Sequence, residues 1–354
     1  MEKHISNQKY DVIIKGAYGA ANFGDDALIY SILKNFFLDK KVAVIGKKNT
    51  YWNKLFSDVE YFSLDSEKNI QADFLIYGGG TQFFNFKSFR YFLKKIIFAF
   101  SNPMLLKNKF LKKKGLVVSA KEEIYLGIGL GPFNDEKAGE FFLKKLRIKK
   151  YVFVRDFLSL NYMKGGATKV DDLCLMDYKR YQDSSTGNKN NKLCIIIRDW
   201  DFDNNHKHVQ KIIDFYKNTT KYELDFIFFG NDKECKKKLR ENNISFVEWN
   251  PEKDDLLAFS SMLSEYKLII SSRYHGIIFA QIHGVPSIAI NIEPKLMQVS
   301  KEYSGIKLWG ADYCIDDLDR LIQDSLSSSN CISWDHITDI NNISNTLNTI
   351  VSSV

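Results

Sequence analysis

Arg273 and His275 stand two residues apart in the stretch Ser271-Ser272-Arg273-Tyr274-His275-Gly276, directly after an apolar run. A guanidinium grips a carboxylate or phosphate through parallel hydrogen bonds, and an imidazole exchanges a proton near neutral pH. Lys295 follows the next apolar run, in the right layer to converge on the same anion. Arg155 closes an apolar run at residues 151–154 and supplies a matching cation from the first half of the chain. A lone arginine or histidine is usually structural, but these sit at strand-to-helix turns, where α/β proteins place their ligands.

Two glycine-bearing turns add to this set. Asn22-Phe23-Gly24-Asp25-Asp26 follows the first apolar run and opens a helix, whose free N–H groups favour an anion. The spacing differs from the dinucleotide-binding G-x-G-x-x-G. Asn22 and Asp25 are placed for contact with a polar substrate, and Asp26 reads as the helix cap. Gly78-Gly79-Gly80-Thr81 again ends a strand, where the backbone can turn sharply or approach a ligand. A tight turn alone would also explain those three glycines.

The elements that position these residues alternate. Short apolar runs at residues 11–16, 41–46, 73–77, 123–129 and 151–155 are separated by segments with helical character. After a polar stretch at residues 178–191 the pattern restarts, with runs at 193–197, 224–229, 267–270 and 286–290. Strands of this length joined by helices form parallel sheets covered on both faces. The expectation is an α/β protein of two Rossmann-like domains facing a cleft, a GT-B-like arrangement. The first domain would span residues 1–180 and the second 181–330, with a closing helix in the tail at 331–354.

Asn22-Phe23-Gly24-Asp25, Gly78-Gly79-Gly80, Gly129-Leu130-Gly131-Pro132, Val154-Arg155-Asp156 and Arg273-Tyr274-His275-Gly276 with Gly284, Pro286 and Lys295 stand in a particular order. In that order the chain resembles the polysaccharide pyruvyl transferases, from about residue 10 to residue 301. The resemblance implies a GT-B-like fold and transfer of a pyruvyl group from phosphoenolpyruvate to a sugar. That sugar would belong to a cell-surface polysaccharide, capsular or exopolysaccharide, or to its lipid-linked precursor. By the resemblance, Arg155, Arg273, His275 and Lys295 match the donor-binding positions. His275 is then the candidate acid, and Asp25 the nearby carboxylate for a hydroxyl proton. Asn22, Gly24, Asp25, Gly78, Gly79 and Gly80 would form the acceptor side. No metal and no cofactor beyond the donor substrate is expected. The competing reading is a GT-B glycosyltransferase that uses a nucleotide sugar, for which the same cations would hold phosphates.

Composition sets the outer bounds. The chain has 354 residues, 45% hydrophobic and 26% charged, as in a globular protein. Five scattered cysteines argue against a disulfide framework or a structural zinc site. No apolar stretch is long enough to cross a bilayer and no secretory signal opens the chain, so the expected location is cytoplasmic. The net charge of +7 is uneven: the run from Lys87 to Lys114 holds nine Lys and Arg and no acidic residue, interleaved with aromatics. Such a run either lies on an anionic membrane at the inner face or forms the solvated side of a core helix. No nucleic-acid module accompanies the charge.

Overall fold

The computed structural model describes residues 8–85, 115–133, 136–183, 190–199, 207–310, 312–327 and 334–353. The basic run at residues 87–114 lies outside them. The first sheet contains β1 (Gln8–Lys15), β2 (Val42–Gly46), β3 (Glu60–Ser63), β4 (Asn69–Gly78), β5 (Thr81–Asn85), β6 (Val117–Phe133), β7 (Tyr151–Val154) and β8 (Thr168–Lys169). Its order is β3-β2-β1-β4-β6-β7-β8, with β5 paired to β6, and neighbours run parallel. The second sheet contains β9 (Lys192–Ile196), β10 (Glu223–Phe228), β11 (Phe246–Glu248), β12 (Leu268–Ser271), β13 (Ser287–Ile290) and β14 (Ile306–Trp309). Its order, β11-β10-β9-β12-β13-β14, is the doubly wound one, also parallel.

The continuous apolar runs follow from burial on both faces. In β1, Val12 and Ile14 join the core beneath the helix Phe23–Asn35, while Ile13 packs with Ala43, Ile45 and Leu75 on the opposite face. Residues one apart on a strand point to opposite sides, so a doubly covered strand has no polar position. The first of these cores does not stop at the domain edge. It runs without a break from Val12 and Leu28 into Ile195, Phe228 and Phe279 of the second sheet's layer.

Phe23 makes that continuity. Its ring sits 4.8–5.3 Å from the rings of Phe229, Trp249, Phe259 and Phe279, all from the second half of the chain. Its amide donates to the Phe229 carbonyl at 2.7 Å. The helix it opens therefore starts at Phe23, ahead of Asp26, because Asn22 is the cap and accepts from the Gly24 amide. Asp26 is not the cap. It is 1% exposed and accepts from Tyr51 Oη at 3.0 Å and from Trp249 Nε1 at 2.9 Å.

Further ties close the seam. The short helix Tyr178–Gln182 begins the polar stretch between the sheets, and its buried Tyr181 donates to the Ala27 carbonyl at 3.1 Å. The terminal helix Ile340–Ser352 returns to the first half, where Ser344 donates to the Asn35 carbonyl at 2.7 Å.

Burial pushes the Asp26 carboxyl up from about 3.8 to about 7, against the hydrogen bonds from Trp249 and Tyr51, with Asp25 adding repulsion. The folded state then holds a proton that the unfolded chain has released between about pH 4 and 7, so this group's contribution to stability falls as pH rises through that window. Asp26→Asn, which cannot ionise, should gain on wild type by up to about 4 kcal/mol between pH 4 and pH 8. Urea unfolding of both proteins across that range measures the difference. A constant gap would show that Asp26 ionises normally in the seam.

Candidate functional site

Where the strand ends of the two sheets face each other, a cavity of about 150 Å³ is lined by Arg155, Arg198, Arg273, His275 and Lys295. Asn22, Asp25, Gly80 and Thr81 complete the first domain's side. The cations come from equivalent places. Arg155 follows β7, Arg198 lies two residues past β9, and Arg273 two residues past β12. Lys295 sits at the start of the helix Pro294–Glu302 after β13, with Pro294 favouring that helix start. Arg198 was not among the residues singled out from the sequence.

Each cation is held by an anion behind it. Arg155, 1% exposed, donates from Nη1 to Asp172 at 3.0 Å and from Nη2 to the Thr81 hydroxyl at 3.0 Å. Its guanidinium carbon lies 4.0 Å from the centre of the Tyr274 ring. Arg273 pairs with Asp232 at 2.5 Å. Glu293 serves two cations, with Lys295 at 3.2 Å and Arg198 at 3.6 Å. His275 Nε2 lies 3.6 Å from Asp172, beyond hydrogen-bond length but within its field.

Burial would raise the Asp172 carboxyl, but His275, Arg155 and the Cys174 amide together hold it down at about 2. It stays ionised across the physiological range. Lys295 goes the other way: burial brings its ammonium down to about 8, despite Glu293, with Arg198 and Arg155 contributing repulsion. Burial likewise lowers Arg198. Asp25 is raised by burial, and His275, Arg273, Arg155 and Arg198 all pull against that shift. A single acidic side chain thus faces four positive or titratable groups across the cavity. Asn22 Nδ2 donates to it at 2.8 Å and fixes its orientation.

Two glycine positions are required by this geometry. A Cβ on Gly24 would lie 2.3 Å from His275 Nδ1, so the imidazole rests directly against the first turn of the helix. Gly79 and Gly80 have φ of +62° and +70°, a region that other residues enter only with strain. Their turn carries Thr81 to Arg155. Gly78 is held through its carbonyl by the buried Tyr18 hydroxyl, on the core side of the turn.

The structure thus gathers every residue expected at the site except Gly78 and Gly79 into the cavity or its immediate wall. The sequence reading missed Arg198, Asp172, Asp232, Glu293 and Thr81. Among the described residues, Asp172, Cys174 and His275 form one grouping of metal-type donors, their atoms within 4.8 Å. The set fits an ion pair better than a resident metal. Asp172 is already committed to Arg155, which donates to it at 3.0 Å.

Two doubly wound parallel sheets meeting at their carboxyl ends, with phosphate-type cations between, define a GT-B-like α/β protein. Solved structures agree on the fold. The chain is similar to UDP-GlcNAc 2-epimerase of Methanocaldococcus jannaschii in complex with UDP-GlcNAc and UDP (TM-score 0.61, 13% identity, 97% of this chain and 100% of that one). It is also similar to S. aureus MnaA in a co-structure with UDP (TM-score 0.59, 12% identity, 98% of each chain). A putative UDP-N-acetylglucosamine 2-epimerase from Listeria monocytogenes gives 0.57 at 10% identity, over 98% and 96% of the two chains. No curated protein matches the chain by sequence. The family model of the polysaccharide pyruvyl transferases matches residues 22–294, from Asn22 through Arg155, Arg273 and His275 to the residue before Lys295, and the chain belongs to that family.

Gly24→Ala should separate site from fold. Alanine suits a helix better than glycine by roughly 0.5–1 kcal/mol, so the helix itself is not weakened. The imidazole, however, must leave its place. We expect the thermal midpoint to hold and the affinity for inorganic phosphate to drop about tenfold, equivalent to about 1.4 kcal/mol. Unchanged phosphate binding on titration calorimetry would mean that His275 contributes nothing from this position.

Proposed function

We propose that the protein transfers the pyruvyl group of phosphoenolpyruvate to two hydroxyls of one sugar, forming a ketal and releasing phosphate. The observation that carries this reading is the convergence of Arg155, Arg198, Arg273, Lys295 and His275 on one small cavity beside Asp25. Phosphoenolpyruvate brings a phosphate and a carboxylate on three carbons, and such a compact dianion or trianion calls for several cations at short range. A cavity of about 150 Å³ suits it better than a nucleotide sugar, because drug-sized ligands occupy pockets of roughly 300–1,000 Å³.

Chemistry at this site needs two proton movements. A proton goes to the methylene carbon while a sugar hydroxyl adds to the neighbouring carbon and loses its own proton. The C–O bond to phosphate then breaks, and a second hydroxyl closes the ring as it gives up its proton. His275 is the acid in this scheme, with ionised Asp172 behind it to balance charge as the proton moves. Asp25 takes the hydroxyl proton. Its raised affinity for protons, from burial, brings it closer to that task than an ordinary carboxylate. The arginines hold the phosphate as it leaves and gains charge.

Arg273→Ala should cut transfer by about 30- to 1,000-fold, the equivalent of roughly 2–4 kcal/mol, with the fold intact. A mass gain on a glycan incubated with phosphoenolpyruvate gives the readout. Titration with phosphoenolpyruvate and with nucleotide sugars distinguishes this reading from its rival. Tight binding of a nucleotide sugar, with none of phosphoenolpyruvate, would replace it by glycosyl transfer.

The acceptor in this proposal is a sugar of a cell-surface polysaccharide or its lipid-linked precursor, met at the inner face of the membrane. No helix among the described residues is long and apolar enough to cross a bilayer. Attachment would then be peripheral, through the basic run at residues 87–114, each Lys or Arg near anionic lipid contributing roughly 1 kcal/mol. Changing Lys107, Lys109, Lys112, Lys113 and Lys114 to Gln should reduce sedimentation with anionic vesicles at low salt and leave transfer to a soluble acceptor unchanged. Equal recovery of both proteins would remove the membrane from the scheme.

A further inference from the structure

Behind the wall formed by Arg155 and Tyr274 lies a second cavity, of about 260 Å³, where both domains and the C-terminal tail meet. Gln281 belongs to its lining and is 1% exposed, yet its Nε2 has no hydrogen-bond partner among the described residues. A buried amide hydrogen left unpaired is costly, and such groups are rare in folded proteins. A helix that needed only packing here would place a leucine at this position.

The other walls mix Glu302, Asp171, Lys169, Tyr303, Ser304 and the imidazole of His336. Glu302 receives the Phe157 amide and the Gln298 side chain, both at 2.8 Å and both on Oε1. Asp171 accepts from Lys169 and the Tyr303 hydroxyl on Oδ1 and from the Thr338 amide and hydroxyl on Oδ2, all at 2.8 Å, so it neutralises the one lysine present and both its oxygens are occupied. Phe157, 49% exposed, gives an apolar face at the mouth. The contrast with the first cavity is one of charge. There, three arginines and a lysine face the cavity; here, two carboxylates and an amide stand with a single paired lysine and the His336 imidazole. The two carboxylates disfavour a phosphate or carboxylate. A neutral ligand with several hydroxyls and one apolar face would be served, since the Glu302 carboxylate can accept from a hydroxyl, an amide can both donate and accept, and Phe157, with Lys169 Nζ 5.1 Å from its ring centre, has its other face for the C–H side of a sugar.

Size narrows the class. The volume far exceeds the roughly 30 Å³ that a water takes in the liquid, and falls below the roughly 300 Å³ at which pockets for drug-sized ligands begin. We infer that this cavity is a second ligand site, built for one neutral sugar ring and separate from the anion cavity. The cavity's own chemistry carries the assignment. That the sugar is a unit of the acceptor glycan, next to the one modified, rests on the proposed transfer; a free sugar acting as effector would present the same hydroxyls. The seam connects the two sites. Asp171 adjoins Asp172, which holds Arg155 and faces His275, and the Phe157 amide ties β7's end to Glu302.

The test uses the whole protein and saturation-transfer NMR with methyl β-galactoside, methyl α-mannoside and N-acetylglucosamine, with inorganic phosphate as the anionic probe. At least one of the three sugars should receive saturation from wild type and equally from Arg273→Ala, which should lose phosphate binding. Gln281→Leu should abolish the sugar signal while the thermal midpoint stays level or rises, because an unpaired amide is replaced by an apolar group of similar size. Phe157→Ala, at the half-exposed mouth, should weaken the sugar at least tenfold and serves if Gln281→Leu fails to fold. No signal for any sugar on wild type, or a signal that survives both variants, would overturn the site. Failure of phosphoenolpyruvate to bind, with the sugar still bound to Arg273→Ala, would sink the pyruvyl reading alone. A higher KM for an oligosaccharide acceptor but not for a monosaccharide, in Gln281→Leu, supports a place for the acceptor's flank. A changed kcat on added free glycoside at saturating acceptor supports an effector.

Discussion

Four cationic side chains around one cavity of about 150 Å³ repel one another, and that repulsion governs how the rest of the site is built. Two unit charges 4 Å apart interact by about 4 kcal/mol even at an effective dielectric near 20. Buried cations survive such crowding only when paired and hydrogen-bonded. Here Asp172, Asp232 and Glu293 stand behind Arg155, Arg273 and the Arg198–Lys295 pair, each on the side away from the cavity. Glu293 is shared between two cations, and burial, with repulsion from Arg198 and Arg155, brings the Lys295 ammonium down to about 8 despite it. Three carboxylates behind the cations and Asp25 at the cavity match the four positive charges in number, and the cavity side of the cations is the side those three leave open to an anion.

The second requirement is that the two halves of the chain keep their alignment, because the cations are divided between them. Arg155 comes from the first domain, and Arg198, Arg273, His275 and Lys295 from the second. Phe23 secures this alignment by placing its ring among four aromatic rings of the other domain and its amide on the Phe229 carbonyl. The adjacent residues then fall into position: Asn22 and Asp25 at the cavity, Gly24 against His275, and Asp26 between Tyr51 and Trp249. One turn of helix thus carries a cavity-facing carboxylate on one side and a buried interdomain carboxylate on the other. Neighbouring aspartates in the sequence have opposite surroundings.

This explains which parts were legible in the sequence. Strand ends were, because a doubly covered parallel strand is a plain apolar run, and the first polar residues after it must sit at the carboxyl edge of the sheet. Arg155, Arg273 and Lys295 were found that way. Arg198 obeys the same rule, two residues past Ile196, but has no histidine or glycine beside it to mark it as a site residue. The counter-anions were not legible. Asp172 and Asp232 sit in loops or at helix starts, where an aspartate usually caps, and only tertiary contact shows what they face. Asp26 was read as a cap for the same reason. Its partner Trp249 is 223 residues away, and no local pattern connects the two.

The fold alone does not choose the reaction. Solved structures at 10–13% identity share the two-domain frame, and their names speak of sugar nucleotides. What differs between possible chemistries on such a frame is how charge and volume are apportioned at the seam. In this chain the strand ends gather cations around a cavity of about 150 Å³, while the neighbouring cavity, of about 260 Å³, has its lysine paired to Asp171. Residues close in sequence wall the two: Arg155 lines one, and Phe157 and Asp171 the other. A two-substrate enzyme that must hold a small trianion against a neutral glycan needs that division, since a cation field strong enough for the first offers the second little beyond hydrogen bonds. The adjacency of Asp171 and Asp172, one paired to a lysine and a tyrosine and the other to an arginine beside a histidine, places the change of character within a single peptide unit.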